Sequence, residues 1–124
     1  MIAMYIHHAT SISAQGFFNA LLLEESLKKK TSFLANEPDY KALIPPMMVR
    51  RMAKITRMAL MCALSIDKDA GNPNWSGILV ATGLGNLQDT DKFLTSIIES
   101  KEGLLSPTSF TQSSHNTVSG NIAL

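Results

Sequence analysis

The chain has little of what marks disulfide-rich, membrane or nucleic-acid-binding proteins. One cysteine among 124 residues excludes an internal disulfide and suits a reducing cytoplasm. A net charge of +1 with 17% charged residues gives no strong field of one sign, which argues against nucleic acid as a partner. The longest uncharged apolar run, Met58–Leu64, is far shorter than the roughly 20 residues of a membrane span. Residues 1–8 lack the pattern of a secretory signal, so we expect a cytoplasmic protein without a membrane span.

The residues that could act as metal ligands or nucleophiles form no recognisable pattern. His7, His8 and His115 show no metal-ligand spacing with one another or with Cys62. Neighbouring residues on a strand point to opposite faces, so His7 and His8 are not expected to chelate one ion together. Cys62 falls on the apolar stripe of a predicted helix, where thiols are usually inert core residues. We therefore expect no catalytic residue, no metal and no cofactor in this chain.

The hydrophobic pattern predicts strands alternating with helices, which is typical of the α/β class. The predicted elements, in chain order, are a strand (Ala3–Ser11), a helix (Phe17–Lys30), a loop with at most one helical turn (31–43), a long helix (Pro45–Ile66), a central strand (Gly77–Thr82), a helix (Leu87–Lys101) and a final helix with Ser113 or Ser114 as its N-cap.

Residue spacing assigns faces to the two longer helices. Arg50, Lys54 and Arg57 form one basic stripe, with Arg51 beside it. The opposite apolar stripe consists of Met48, Met52, Ile55, Ala59 and Cys62. From Met58 to Leu64 every face is apolar, which requires packed layers on both sides of the helix. On the helix over 87–101, the residues expected to face inward are Leu87, Thr90, Leu94, Ile97 and Ile98.

A glycine turn joins the predicted central strand to the helix that follows. Gly83-Leu84-Gly85 approaches a dinucleotide-binding fingerprint, but Gln88 stands where the third glycine belongs. No acidic residue closes a second strand about 20 positions later, as ribose binding requires. The pattern therefore argues against a nucleotide site.

Three segments carry a resemblance to a known family: Ile44–Ala53, Ser76–Thr90 and Leu105–Leu124. Together they resemble the first half of a β-ketoacyl synthase of the thiolase fold, and Met1–Gln15 is similar to the family's opening strand. The resemblance implies an α/β fold over residues 1–124, the N-terminal half of a thiolase-like αβαβα sandwich. In the family the nucleophilic cysteine and two catalytic histidines come later, so we expect an incomplete domain that is inactive alone.

The resemblance also implies sites and partners. Arg50, Arg51 and Met52 match the helix start at which basic residues contact the acidic acyl carrier protein, although Ala53 stands where the family has an acidic residue. Lys54 belongs to the same docking set, for which the plain alternative is a solvated basic helix face. The implied acyl pocket comprises Gly83, Leu84 and Gly85, with Leu84 gating the growing chain. The implied dimer interface comprises Ser106, Pro107, Phe110, Asn116 and Gly120.

The expected function is chain elongation of fatty acids or polyketides on acyl carrier protein, and the nearest resemblance is to ketosynthase-like proteins of aryl-polyene or flexirubin-type clusters. The chain would act within a homodimer, or within a heterodimer with a ketosynthase subunit. One alternative is a non-catalytic partner, similar to a chain-length factor, that shapes the pocket of an active synthase. Another is an unrelated small α/β binding module.

Overall fold

The structure, a computed structural model, describes residues 3–14, 16–18, 34–71, 73–99, 105–114 and 116–124. Most of the helix predicted for Phe17–Lys30 and the start of the loop predicted for 31–43 lie outside these residues. The elements are β1 (Ser11–Ser13), β2 (Gly16–Phe18), a 3₁₀ turn (Tyr40–Ala42), α1 (Pro46–Arg51), α2 (Lys54–Ala70), α3 (Leu87–Glu99), α4 (Pro107–Ser113) and α5 (Thr117–Ala123). The 3₁₀ turn is the single helical turn expected in the loop.

The sheet in the described segments is one short antiparallel pair. β1 and β2 pair with Ile12 opposite Phe17 and Ser13 opposite Gly16. The strand prediction for Ala3–Ser11 is wrong over residues 3–10, which have no regular structure. No described strand lies beside them, and an extended segment without a neighbour leaves its ladder groups to water. The helix prediction is also wrong at Phe17 and Phe18, which belong to β2.

The predicted long helix is two helices. The proline pair does open it, since α1 begins at Pro46, but Met52 and Ala53 are extended, with ψ angles of 141° and 154°. The interruption buries Met52 and Ala53 while Arg50 and Arg51 stay exposed. The basic residues therefore lie on two helices rather than on one stripe. α2 continues past the predicted end at Ile66 and closes at Gly71, whose φ of +74° is left-handed.

The core is built around α2, which packs against β1 on one side and α5 on another. Its buried centre consists of Tyr40, Ile44, Met52, Leu60 and Met61. Every residue from Met58 to Leu64 is buried or half-buried, as the apolar run predicts. The predicted apolar stripe is wrong at Met48 and Ile55, which are exposed. The break before Lys54 changes the register of the stripe.

The central strand predicted at Gly77–Thr82 is absent, and this prediction is wrong. Residues 73–82 have no regular structure, and Leu79 is 97% exposed. An apolar run becomes a central strand only when neighbouring strands take its amides and carbonyls. No such neighbour lies in the described part of the chain, whose one sheet is β1–β2. The described part of the chain is therefore mostly helical with one two-stranded sheet, which is only a fragment of the expected α/β sandwich.

The helix predicted over 87–101 is present as α3, but of the five residues expected to face inward only Thr90 is half-buried. Leu87, Leu94, Ile97 and Ile98 are all exposed. α3 packs instead on α4, where the rings of Phe93 and Phe110 lie 5.6 Å apart at a tilt of 58°.

The predicted N-cap serines lie at the other end of a helix. Ser113 is the last residue of α4 and Ser114 its C-cap, with the Ser114 amide bonded to the Thr111 carbonyl. The final helix, α5, starts later, after Asn116. Pro107 starts α4 early because its fixed φ suits a first helical position. Among the described helices, none is both long and apolar enough to cross a bilayer.

Gly71 offers a test of how α2 ends. A Cβ added at Gly71 meets no atom within 4 Å, so Gly71→Ala should destabilise only through its positive φ, by about 1 kcal/mol. Gly77→Ala is the matched control, because its added Cβ also meets nothing and its φ is not left-handed. Chemical unfolding of both variants measures the difference. Equal stabilities for the two would contradict a left-handed helix end.

Candidate functional site

The carboxylate of Glu37 forms ion pairs with two cations of the predicted basic stripe, Lys54 and Arg57. Lys54 Nζ lies 2.8 Å from Glu37 Oε1. Arg57 donates to Oε2 from Nε at 3.3 Å and from Nη2 at 3.1 Å. The Tyr40 hydroxyl donates to the same oxygen at 2.7 Å, and the Arg57 guanidinium lies 5.4 Å from the Tyr40 ring centre. This cluster ties the loop before α1 to the first turn of α2.

The cluster shifts the pKa values of both acids in it. Hydrogen bonds from Lys54 and Tyr40, with the nearby charges of Arg57 and Lys54, lower the pKa of Glu37 from 4.5 to about 2, against a smaller opposing effect of burial. Burial, followed by the hydrogen bond to Glu37, raises the pKa of Tyr40 to about 12. The carboxylate is therefore ionised and the phenol protonated at neutral pH.

Arg50 and Arg51 stand apart from this cluster at the end of α1. Both are exposed, and no described carboxylate forms an ion pair with either. Their place in the last turn suits the negative end of the helix dipole. Each of these two guanidinium groups can bind a carboxylate or phosphate through two parallel hydrogen bonds. Of the predicted docking set, only Lys54 forms an ion pair with a residue that the structure describes, and its side chain remains 47% exposed.

The glycine turn lies at the surface between 77–82 and α3. Gly85 has a left-handed φ of +56°, and its amide donates to Thr82 Oγ1 at 3.0 Å. Leu84 is 77% exposed. Gly85 helps to line a groove of 350 Å³ with Lys54, Ile55, Met58 and the first turn of α3, whereas Gly83 and Leu84 do not line it. The structure thus brings one residue of the predicted acyl pocket beside one of the predicted docking set.

The predicted interface residues are distributed over two short helices. Ser106 and Pro107 begin α4, and Phe110 packs on Phe93 of α3 while remaining largely exposed. Asn116 and Gly120 lie at the start and middle of α5 and line a second groove, of 780 Å³, with residues 73–78.

A residue that the sequence did not single out joins these regions. Gln112 of α4 accepts the Ala53 amide at 3.1 Å through Oε1 and donates from Nε2 to the Arg51 carbonyl at 2.7 Å. The Gln112 carbonyl in turn accepts from Asn86 Nδ2 at 2.8 Å. Gln112 is 59 residues from Ala53, so no local sequence pattern could have indicated these contacts.

The candidate ligands and nucleophile are dispersed. His7 and His8 are exposed, and His115 lies outside the described residues. Within the described segments, no group of three or more His, Cys, Asp or Glu residues is arranged to hold a metal ion. Cys62 is half-buried on α2, and burial raises the pKa of its thiol, which a hydrogen bond with Thr10 partly offsets. The neutral thiol is therefore the prevailing form.

Comparison with known proteins supplies the family. The family model described as "Beta-ketoacyl synthase, N-terminal domain" matches residues 24–124. The chain therefore belongs to the β-ketoacyl synthase N-terminal domain family, whose fold is thiolase-like, and this membership connects it with fatty-acid or polyketide chain elongation. No curated protein and no solved structure matches the chain.

Glu37 should make stability depend on pH in the acid range. Its folded pKa of about 2 lies below the ordinary 4.5, so between these values the unfolded chain binds more protons than the folded one. The contribution of Glu37 is present above pH 4.5 and is lost as the pH falls towards 2. We expect Glu37→Gln to cost about 1 kcal/mol at pH 7 and to differ little from the parent chain near pH 2.

Urea unfolding at pH 7, 4 and 2 measures this difference. Asp39→Asn is the control, because Asp39 lies in the same loop, is exposed, forms no ion pair with a described residue and accepts the Lys41 amide through its side chain. A difference between Glu37→Gln and the parent chain that does not shrink with falling pH would contradict the ion-pair cluster.

Proposed function

We propose that this chain is the N-terminal portion of a ketosynthase-like protein that elongates fatty acids or polyketides on acyl carrier protein. The observation that carries the proposal is the family match over residues 24–124. Within the family, the aryl-polyene or flexirubin type is proposed from the resemblance of segments 44–53, 76–90 and 105–124. The single cysteine is consistent with a reducing compartment such as the cytoplasm.

The proposed part played by α1 is docking of the carrier protein. Arg50 and Arg51 support it, because they are exposed and unpaired among the described residues. A carrier protein presents carboxylates, which guanidinium groups bind more specifically than an ammonium does. Lys54 is less available because it already forms an ion pair with Glu37, so we assign Lys54 mainly to the stability of the loop before α1.

The proposed part played by residues 76–98 is assembly with further strands and helices. Gly77–Thr82 is apolar and exposed, and so is much of α3. Exposed apolar surface of this kind often marks a site at which other protein elements pack. We propose that the covering elements come from the rest of a ketosynthase or from a partner subunit, with α4 and α5 at the dimer interface.

The chemistry itself is proposed to lie outside these 124 residues. Condensation holds the acyl chain on a thiolate, and an activated cysteine needs a lowered pKa or an adjacent base. The pKa of Cys62, the only thiol in the sequence, is raised. This portion would therefore contribute docking, pocket walls and interface but no nucleophile.

The second candidate is a non-catalytic partner similar to a chain-length factor. The raised pKa of the Cys62 thiol supports this candidate as much as the first, because a subunit that only shapes the pocket needs no reactive thiol. In that case Leu84, between Gly83 and Gly85, would limit acyl-chain length within the completed pocket. The candidates differ in whether the complete protein carries a nucleophilic cysteine and two histidines. An acyl adduct on the complete protein, mapped by mass spectrometry, would decide for the enzyme.

The docking role predicts a specific loss of affinity. The Arg50→Glu/Arg51→Glu double variant should bind holo acyl carrier protein at least tenfold more weakly at low salt, because two attractive contacts become repulsive. Lys54→Ala should change affinity much less and lower thermal stability instead, since it breaks the contact with Glu37. Isothermal titration at 20 and 200 mM salt, with thermal unfolding of each variant, provides both readouts.

Equal affinity of the double variant and the parent chain at low salt would sink the docking role and favour a solvated helix end. A loss in Lys54→Ala as large as that in the double variant would instead return Lys54 to the docking set.

The catalytic proposal predicts that the chain alone forms no ketoacyl product. Incubated with acyl- and malonyl-carrier protein, it should give no thioester adduct at Cys62, and mass spectrometry would detect either species. Cys62→Ala should lower the stability by roughly 1 kcal/mol, through a small cavity, and change nothing else. The control is an active ketosynthase assayed with the same carrier proteins. An acyl adduct on Cys62 would overturn the assignment.

A further inference from the structure

The break between α1 and α2 is bridged by one side chain from a distant part of the sequence. Gln112 Nε2 donates to the carbonyl of Arg51, the last residue of α1, at 2.7 Å. Gln112 Oε1 accepts the amide of Ala53, the N-cap of α2, at 3.1 Å. The two hydrogen bonds hold the backbone on both sides of Met52, the residue at which the chain bends.

α1 has few other contacts that hold its orientation: the partly buried Val49 packs against the core, and the helix contacts the 3₁₀ turn. α1 is six residues long and contains no buried residue. A helix of that length is not stable alone in water, so its direction depends on the Val49 contact and on how its two ends are held. The N-terminal end follows Ile44, which is buried in the core, and the C-terminal end meets the bend at Met52.

The end of α4, which carries Gln112, is itself held to α3 by hydrogen bonds. The Asn86 amide donates to the Gln112 carbonyl at 2.8 Å, and Asn86 is buried at the start of α3. Thr90 Oγ1 donates to the Ser113 carbonyl at 3.4 Å, and the Phe93–Phe110 contact lies one turn further along. α3 and α4 therefore form one unit, from which the Gln112 side chain reaches the bend.

We propose that Gln112 is a positioning residue for the acidic partner: it fixes the angle between α1 and α2 and thereby sets where Arg50 and Arg51 lie. The inference rests on the docking role proposed above. Both hydrogen bonds of the neutral Gln112 side chain at the bend are to backbone groups, so it acts on the placement of the two charges and not on their number. It also connects the docking surface to α4, where the predicted interface residues Pro107 and Phe110 lie.

This distinction between placement and charge makes the inference testable. Gln112→Met keeps the length of the side chain and the net charge but removes both hydrogen bonds. It should weaken binding of holo acyl carrier protein from the same organism by roughly three- to tenfold, the effect of losing one or two net hydrogen bonds. The slope of log affinity against log salt should stay unchanged, because the charges are the same. Gln88→Met is the matched control, since Gln88 is an exposed glutamine on α3.

Amide hydrogen exchange tests the bridge without any partner. In the full chain carrying Gln112→Met, the Ala53 amide should exchange at least tenfold faster, because it loses its acceptor. The Leu60 amide, inside α2, should keep its protection. Unchanged exchange at Ala53 would overturn the bridge.

A second variant covers the case in which Gln112→Met does not fold. Gln112→Lys keeps a donor for the Arg51 carbonyl, loses the acceptor for Ala53 and adds a positive charge. If only the number of positive charges matters, this variant should bind an acidic partner more tightly. If Gln112 positions Arg50 and Arg51, it should bind equally or more weakly. Tighter binding would overturn the inference.

The two proposals fail in different ways. If Arg50→Glu/Arg51→Glu binds like the parent chain, the docking role fails and the inference falls with it. If that double variant binds weakly while Gln112→Met binds like Gln88→Met, the positioning role alone is overturned.

Discussion

Burial of α2 on more than one side is the constraint on which the described structure depends. Leu60 and Met61 lie at the centre of the core, and each fully buried side chain of this kind stabilises the fold by about 1.5–3 kcal/mol. No single neighbour can cover a segment that is apolar all round. β1, α5 and the loop that carries Tyr40 and Ile44 each take part of its surface. Their positions follow from the need to cover the apolar surface of α2.

Polar contacts then fix the placement of the loop before α1 and the bend between α1 and α2, which burial alone does not determine. Glu37 attaches the loop before α1 to Lys54 and Arg57, which places Tyr40 against the core. Gln112 holds the bend between the two helices. In both cases a single side chain bonds groups from separate elements, and in both it acts near the start of α2. The geometry of the basic residues at this end therefore follows from two local networks rather than from helical periodicity.

The sequence predicted the elements that depend on local chemistry and not those that depend on distant partners. The proline start of α1, the buried run Met58–Leu64 and the existence of α3 all follow from residues close together in the chain. The bend at Met52 could not be predicted, because Gln112 is about sixty residues away. The strand at 77–82 was predicted from its apolar pattern, yet strand formation also requires neighbours that the described residues do not supply. The sites of the acyl pocket and the interface came from family resemblance, and they remain proposals.

The exposed segment from Gly77 to Thr82 has a consequence for the life of the chain in a cell. Six residues rich in β-branched and aliphatic side chains, without charge or proline, are typical of segments that pair between molecules into insoluble aggregates. Such a segment is protected from this pairing only once strands of its own protein or of a partner pair with it. The element that covers this segment therefore protects it from aggregation as well as packing against it. Supply of that covering element would then set how much of this protein accumulates, because uncovered copies are lost to aggregation or proteolysis.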